Sequence, residues 1–254
     1  MRKTIIFIVL IDNIIKMVHI YSVEGNIGSG KSTLVRHLKD KLTQIYFENP
    51  FSNGDMGSTQ DIVKRKVIYI LEPVDEWMNI KDKEGEPILT KFYKNQEGYA
   101  FSFQMMAYIS RIASLRKTIR ENPDSIIICE RSVYTDFNVF AKMLYDDGKI
   151  EEVNYLIYKQ WFDEFTQDAP ITGTIYLKVS PEICSERITK RNRDGEVIPL
   201  EYLENCGKYH DDWLEKFDET KNLIIDGDKN IINKPHIVED WSRQISTYIK
   251  RTST

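Results

Sequence analysis

Short apolar runs at residues 18–23, 67–71, 125–129, 173–179 and 222–225 punctuate the chain, and longer amphipathic stretches lie between them. Apolar runs of this length, bounded by polar turns, suit strands buried on both faces of a parallel sheet. The stretches between them repeat at helical spacing. Residues 32–46 align Leu34, Val35, Leu38 and Leu42, and residues 96–120 align Phe103, Met106, Ile109 and Ile112. Residues 149–167 align Val153, Leu156, Ile157, Trp161 and Phe165 as one apolar face. Further helices are predicted at 199–219 and 234–251. Residues 47–66 hold Gly, Pro, Asn, Ser and Asp ahead of Lys64, Arg65 and Lys66, and read as a surface loop with a solvated basic run. This alternation predicts one α/β domain with a five-stranded parallel sheet flanked by helices.

The first run leads into a specific motif. Within VHIYSVEGNIGSGKSTL, the spacing Gly25-x-x-x-x-Gly30-Lys31-Ser32 is that of a phosphate-binding loop, set between a strand and a helix. Glycines let the backbone close around a polyphosphate, successive N–H groups turn inward, and the helix N-terminus adds partial positive charge. Gly25, Asn26, Ile27, Gly28, Ser29, Gly30, Lys31, Ser32 and Thr33 are therefore the expected nucleotide cradle. Lys31 reaches the β- and γ-phosphates, and the Ser32 hydroxyl suits Mg²⁺. A glycine-rich turn that happens to precede Lys-Ser is the alternative, and the flanking strand and helix weigh against it.

Other polar residues cluster at the carboxyl ends of the predicted strands, where doubly wound sheets bind ligands. Glu72 ends the second run, with Trp77 after it. Glu130 and Arg131 end the third: a carboxylate followed by arginine suits a site holding both Mg²⁺ and a second, negatively charged reactant. Asp136 lies one helical turn beyond Ser132. Gln104 and Arg111 sit seven residues apart on one helix face that is otherwise apolar, so they need partners there, and a ligand is one candidate. Arg187, Arg191 and Arg193 form a basic segment that reads either as a solvated helix face or as a cationic lid. Asp226, at the end of the fifth run, is counted with the nucleotide-binding residues.

Composition narrows the class. The 254 residues are 41% hydrophobic and 29% charged, with net charge −4, which argues against a general nucleic-acid binder. Cys129, Cys184 and Cys206 are scattered without metal-like spacing, consistent with a reducing, cytoplasmic setting. Residues 1–17 begin with two basic residues and an apolar run from Ile5 to Ile11, too short to span a bilayer and interrupted by Asp12 and Asn13. They read as an N-terminal extension, with Met17 an alternative start and no membrane association expected.

EGNIGSGKST, LEPVDEW, FSFQMMAYISR, CERSVYTDF and IPLEYLENCGKYHDDWL together resemble the deoxynucleoside kinase family over most of residues 18–228. The resemblance implies a P-loop kinase fold over 18–254, a basic helical lid at about 187–199, ATP and Mg²⁺ as cofactors, and a homodimer formed through the helices near 96–120 and 149–167. It makes Glu72 the general base for the 5′-hydroxyl and Arg131 the residue that holds that hydroxyl and the transferring phosphate, with Glu130 positioning Mg²⁺. Gln104 is implied to pair with the base edge. Trp77, Phe92 and Phe140 wall the base pocket, and Tyr93 meets the 3′-hydroxyl. Arg187, Arg191 and Arg193 embrace the phosphates.

Arg111 and Asp136 match members that take deoxycytidine or purine deoxynucleosides, rather than thymidine. A donor–acceptor pair of this kind penalises a base that leaves it unpaired. Two features depart from the family: the segment from Arg193 to Pro199 is one residue short, which bears on Glu196 as a second sugar contact, and the 47–66 loop is long. Thymidine kinase, a thymidylate-type monophosphate kinase, and a nucleotide-binding switch remain as alternative readings.

Overall fold

The computed structural model describes residues 18–48, 62–167, 169–193, 196–216, 218–229, 231 and 234–253. The expected extension at 1–17 and the middle of the 47–66 loop lie outside them.

Strand β1 (His19–Glu24) is buried beyond its first residue and pairs in parallel with β4 (Ile126–Glu130) on one side and β5 (Gly173–Lys178) on the other. Outside these lie β3 (Ile62–Ile70) next to β4, and β6 (Asn222–Asp226) next to β5, both parallel. Continuous apolar sequence is what the central strands β1, β4 and β5 need, because nearly all of each is buried. In β4 the alternation sorts the layers: Ile126 and Ile128 join one core cluster with Leu34, Leu38 and Ile245, while Ile127 and Cys129 join another with Tyr108, Ile112 and Phe162.

Among the described residues the sheet has six strands rather than the five predicted, in the order β2-β3-β4-β1-β5-β6. The additional strand, β2 (Gln44–Glu48), pairs antiparallel with β3. It occupies the stretch expected to end the first helix, α1, which instead spans Lys31–Lys41. The reason is local: Ile45 is buried and Phe47 packs on the core while Tyr46 points to solvent, a period of two that cannot continue a helix. Lys64, Arg65 and Lys66, read as part of a loop, lie inside β3, and the Arg65 guanidinium sits 5.6 Å from the Phe47 ring centroid.

The remaining helices are α2 (Val74–Asn79), α3 (Ile88–Lys94), the long α4 (Gln96–Glu121), α5 (Val133–Thr135), α6 (Lys142–Asp146), α7 (Glu152–Phe165), α8 (Pro181–Arg191), α9 (Leu200–Leu214) and α10 (Pro235–Thr252). A π-helical stretch, Asp136–Ala141, joins α5 to α6. In α7 the expected apolar face is turned outward. Val153, Leu156, Ile157 and Trp161 are exposed, and Tyr158 and Phe162 are the side chains that pack inward. No helix among the described residues is long and apolar enough to cross a membrane.

Candidate active site

A cavity of about 830 Å³ opens at the carboxyl ends of β1, β3 and β4. Its floor is the phosphate loop. Gly25 and Gly28 have φ of +147° and +78°, and a Cβ on either would meet a backbone oxygen at 2.6 Å, that of Leu177 or of Cys184. Only glycine lets the loop pass there. Lys31 is buried, and its Nζ donates to the Asn26 carbonyl at 2.6 Å. Burial, helped by the neighbouring Arg131 charge, lowers its pKa to about 7. The Asn26 side chain itself turns away from the cavity and donates from Nδ2 to the Leu203 carbonyl on α9 at 2.7 Å.

Beside the loop, Ser32 Oγ donates to Glu130 Oε1 at 2.5 Å. A hydroxyl and a carboxylate next to a polyphosphate cradle fit Mg²⁺, which takes few protein oxygens and fills its octahedron with phosphate and water.

Glu72 follows β3 and faces the same space. Arg111 Nη2 donates to its Oε1, and Arg131 Nη1 lies 3.5 Å from that oxygen. Burial pushes the carboxyl upward, but Arg111, Arg131 and Lys31 together outweigh it and hold its pKa at about 2. Arg111 also places Nε 2.9 Å from Asp136 Oδ2 and donates from Nη1 to the Glu130 carbonyl at 3.1 Å. Burial raises Asp136 to about 6 against the pull of Arg111. Arg131 sits at φ +60°, a left-handed conformation that costs about 1–2 kcal/mol in a residue with a Cβ.

Away from the phosphates the cavity becomes aromatic. Phe92 stacks on Phe103 at 4.7 Å, Trp77 meets Phe103 edge-on at 5.4 Å, and Trp77 Nε1 donates to Ser110 Oγ. Phe140 forms a wall under the Arg131 guanidinium, 4.9 Å from its ring centroid. Gln104 is only 2% exposed and lines this region, with no protein hydrogen bond to its amide among the described residues. Its amide lines the cavity, where a ligand could pair with it. Tyr93 also lines the cavity, and burial raises its phenol.

The basic segment closes one side. Arg187 donates to the carbonyls of Ser29 at 2.8 Å and Gly227 at 2.9 Å. Arg191 holds Glu196 in a fork, Nη2 to Oε1 at 2.7 Å and Nε to Oε2 at 3.1 Å, and Arg193 Nη1 stands 3.8 Å from Glu196. All four line the cavity.

The structure thus gathers Lys31, Ser32, Glu72, Trp77, Phe92, Tyr93, Gln104, Arg111, Glu130, Arg131, Asp136, Phe140, Arg187, Arg191, Arg193 and Glu196 around one space. Asp226 is not brought in: it is exposed, and its Oδ1 accepts from the Asp228 amide. Tyr202, on α9, is a cavity wall that sequence reasoning missed. The available signal was its place four residues before Cys206 and eight before His210, both buried on the inward face of α9.

The sequence profile described as deoxynucleoside kinase matches residues 21–250. The chain belongs to the deoxynucleoside kinase family. It is accordingly an ATP-dependent phosphotransferase. The kinase is 36% identical over 204 residues to deoxycytidine kinase of Rattus norvegicus, covering 76% of this chain and 74% of that protein. It is 32% identical over 231 residues to deoxycytidine kinase 2 of Gallus gallus, covering 83% and 78%. With the mitochondrial deoxyguanosine kinase of Xenopus laevis, identity is 27% over 256 residues, covering 90% and 88%.

Proposed function

We propose that residues 18–254 form a kinase domain that transfers the γ-phosphoryl group of ATP to the 5′-hydroxyl of deoxycytidine or a purine deoxynucleoside, in nucleotide salvage. The observation that carries this reading is that Glu72 and Gln104 open onto the same cavity as Lys31. Phosphoryl transfer needs positioning and charge stabilisation more than covalent help. Lys31, Arg187, Arg191 and Arg193 neutralise the triphosphate. Arg131 holds the acceptor oxygen, and Glu72, already ionised, takes its proton late in the step. Mg²⁺, held by Ser32 and Glu130, supplies further neutralisation of the phosphate oxygens when bound.

Gln104 pairs with the base edge, Trp77, Phe92 and Phe140 enclose the ring, and Tyr93 and Glu196 receive the sugar. The Arg111–Asp136 pair, 2.9 Å apart, supports a base with an exocyclic amine over thymine. The exposed apolar face of α7 supports a homodimer, and three buried free thiols support a reducing, cytoplasmic setting.

Nucleoside-dependent ADP release, measured across the four deoxynucleosides with dCMP and dTMP alongside, tests the assignment. Release with deoxycytidine, deoxyadenosine or deoxyguanosine is expected. Preference for either monophosphate, or ATP binding without any acceptor-dependent release, overturns it.

A further inference from the structure

Three consecutive residues at the end of β1 grip the turn that follows β4. The Val23 carbonyl accepts from the Arg131 amide at 3.0 Å, and the Gly25 carbonyl accepts from Arg131 Nη2 at 3.1 Å. Between them, the Glu24 carboxylate accepts from Ser132 Oγ at 2.7 Å and from Thr135 Oγ1. Glu24 is fully buried, and both of these partners are neutral hydroxyls. A charge held this way is costly to bury, and glutamine of the same shape avoids most of that cost. Stability therefore does not account for a carboxylate here.

Geometry does. Ser132 caps the short helix α5, accepting from the Thr135 amide while it donates to Glu24. Two hydroxyl protons converge on Glu24, and a carboxylate accepts both. A carboxamide offers one acceptor and one donor, so one hydroxyl must accept from it instead and turn its own proton toward another acceptor in a fully buried site. The residue immediately before this clamp is Arg131, in its left-handed conformation, and Asp136 is the residue immediately after it.

We propose that Glu24 is a positioning residue for phosphoryl transfer. By fixing Ser132 and Thr135 against the start of the phosphate loop, it sets the Arg131 guanidinium between the Gly25 carbonyl and Glu72. Glu24 touches no substrate in this role. The proposal rests on the reading of Arg131 as the group that holds the acceptor oxygen and the moving phosphate.

The test uses the full-length Glu24→Gln, Thr135→Val and Thr135→Ser variants, and the Glu24→Gln/Thr135→Val double variant. For each, kcat and KM for ATP are measured with deoxynucleoside Kd, from intrinsic fluorescence, and the thermal midpoint. Glu24→Gln and Thr135→Val should each lower kcat by roughly tenfold to a hundredfold, the scale of a small misplacement of a reacting group. Nucleoside Kd and KM for ATP should stay within about threefold, and Glu24→Gln should melt no lower than the parent. Thr135→Ser, which keeps the hydroxyl, should keep kcat within about twofold, and the double variant should be no slower than the slower single one.

The proposal is overturned if kcat is unchanged in either Glu24→Gln or Thr135→Val, if Thr135→Ser is as slow as Thr135→Val, or if the loss lies only in KM. Should Glu24→Gln fail to fold, the two Thr135 variants decide alone. An inactive parent enzyme sinks the assigned reaction, whereas an active parent with an equally active Glu24→Gln sinks only the positioning role.

Discussion

Arg111 Nη2 donates directly to Glu72 Oε1, so a residue of the base pocket restrains the carboxylate assigned to proton removal. The same guanidinium places Nε beside Asp136 and lies 5.2 Å from the Trp77 ring centroid. In the proposed reaction, one side chain would thereby carry both recognition of the base and orientation of the reacting carboxylate.

Replacing Glu72 with Gln should lower kcat about 10²- to 10⁴-fold, the usual worth of a positioned proton acceptor. Nucleoside affinity, read from tryptophan fluorescence, should change little. Because the carboxyl is held at about 2, the acid limb of the parent's rate profile should not come from Glu72. The sign for stability follows from the same depression. Glu72 stabilises the fold above its ordinary value of 4.5, and that contribution fades as pH falls from there toward 2. Acid unfolding of Glu72→Gln should lack this component.

Asp136 should behave in the opposite sense. Its carboxyl is raised from 3.8 to about 6, so it gains a proton as pH drops through 6. The Arg111–Asp136 pair then loses its charge complement, and deoxynucleoside Kd should rise between pH 7 and pH 5. Its stability contribution runs the other way: between about 6 and 3.8 the folded state binds the proton more tightly, so acid favours the fold at this site. Asp136→Asn should flatten the Kd profile, which titration calorimetry at several pH values can check.

Gly28→Ala should weaken ATP binding. The added Cβ meets the Cys184 carbonyl at 2.6 Å and the Ile188 side chain at 2.8 Å, at a backbone φ of +78°. Strained backbone of this kind costs about 1–3 kcal/mol, so both the thermal midpoint and ATP affinity should fall. ATP Kd should weaken by at least about tenfold, since the loop cannot relax without moving α8.

Leu156→Glu should yield a monomer. Leu156 is 56% exposed on α7, flanked by Val153, Ile157 and Trp161, and a charge there has no place in an apolar contact. Light scattering with size exclusion separates the two states, and a parent that is itself monomeric removes the premise.

Much of this site was legible because its chemistry is written in local spacing. The phosphate loop needs glycines at Gly25, Gly28 and Gly30, and the seven-residue interval from Gln104 to Arg111 puts both on one face of α4. What escaped depends on tertiary context. Period alone predicted an apolar face for α7, but Tyr158 and Phe162 pack inward while the aliphatic stripe faces out, and a helix with two apolar faces has no single phase. Strand β2 is five residues long and was absorbed by the preceding helical pattern. Asp226 ends a strand, as site residues often do, yet its carboxylate is exposed and accepts from the Asp228 amide, while the next residue, Gly227, is the one that lines the cavity. The π-helical widening at Asp136–Ala141, which carries both Asp136 and Phe140, follows from the packing around it and has no signature in residue spacing.

Asn26 links the phosphate loop to helix α9. Its carbonyl holds the Lys31 ammonium, and its Nδ2 is anchored to Leu203, the neighbour of Tyr202 on α9. In the proposed reaction an arriving triphosphate would compete with Asn26 for Lys31, and the Asn26–Leu203 bond is a route by which that change would reach the cavity wall at Tyr202. Thermodynamic linkage makes the effect mutual: whatever factor the donor imposes on acceptor binding, the acceptor imposes on donor binding.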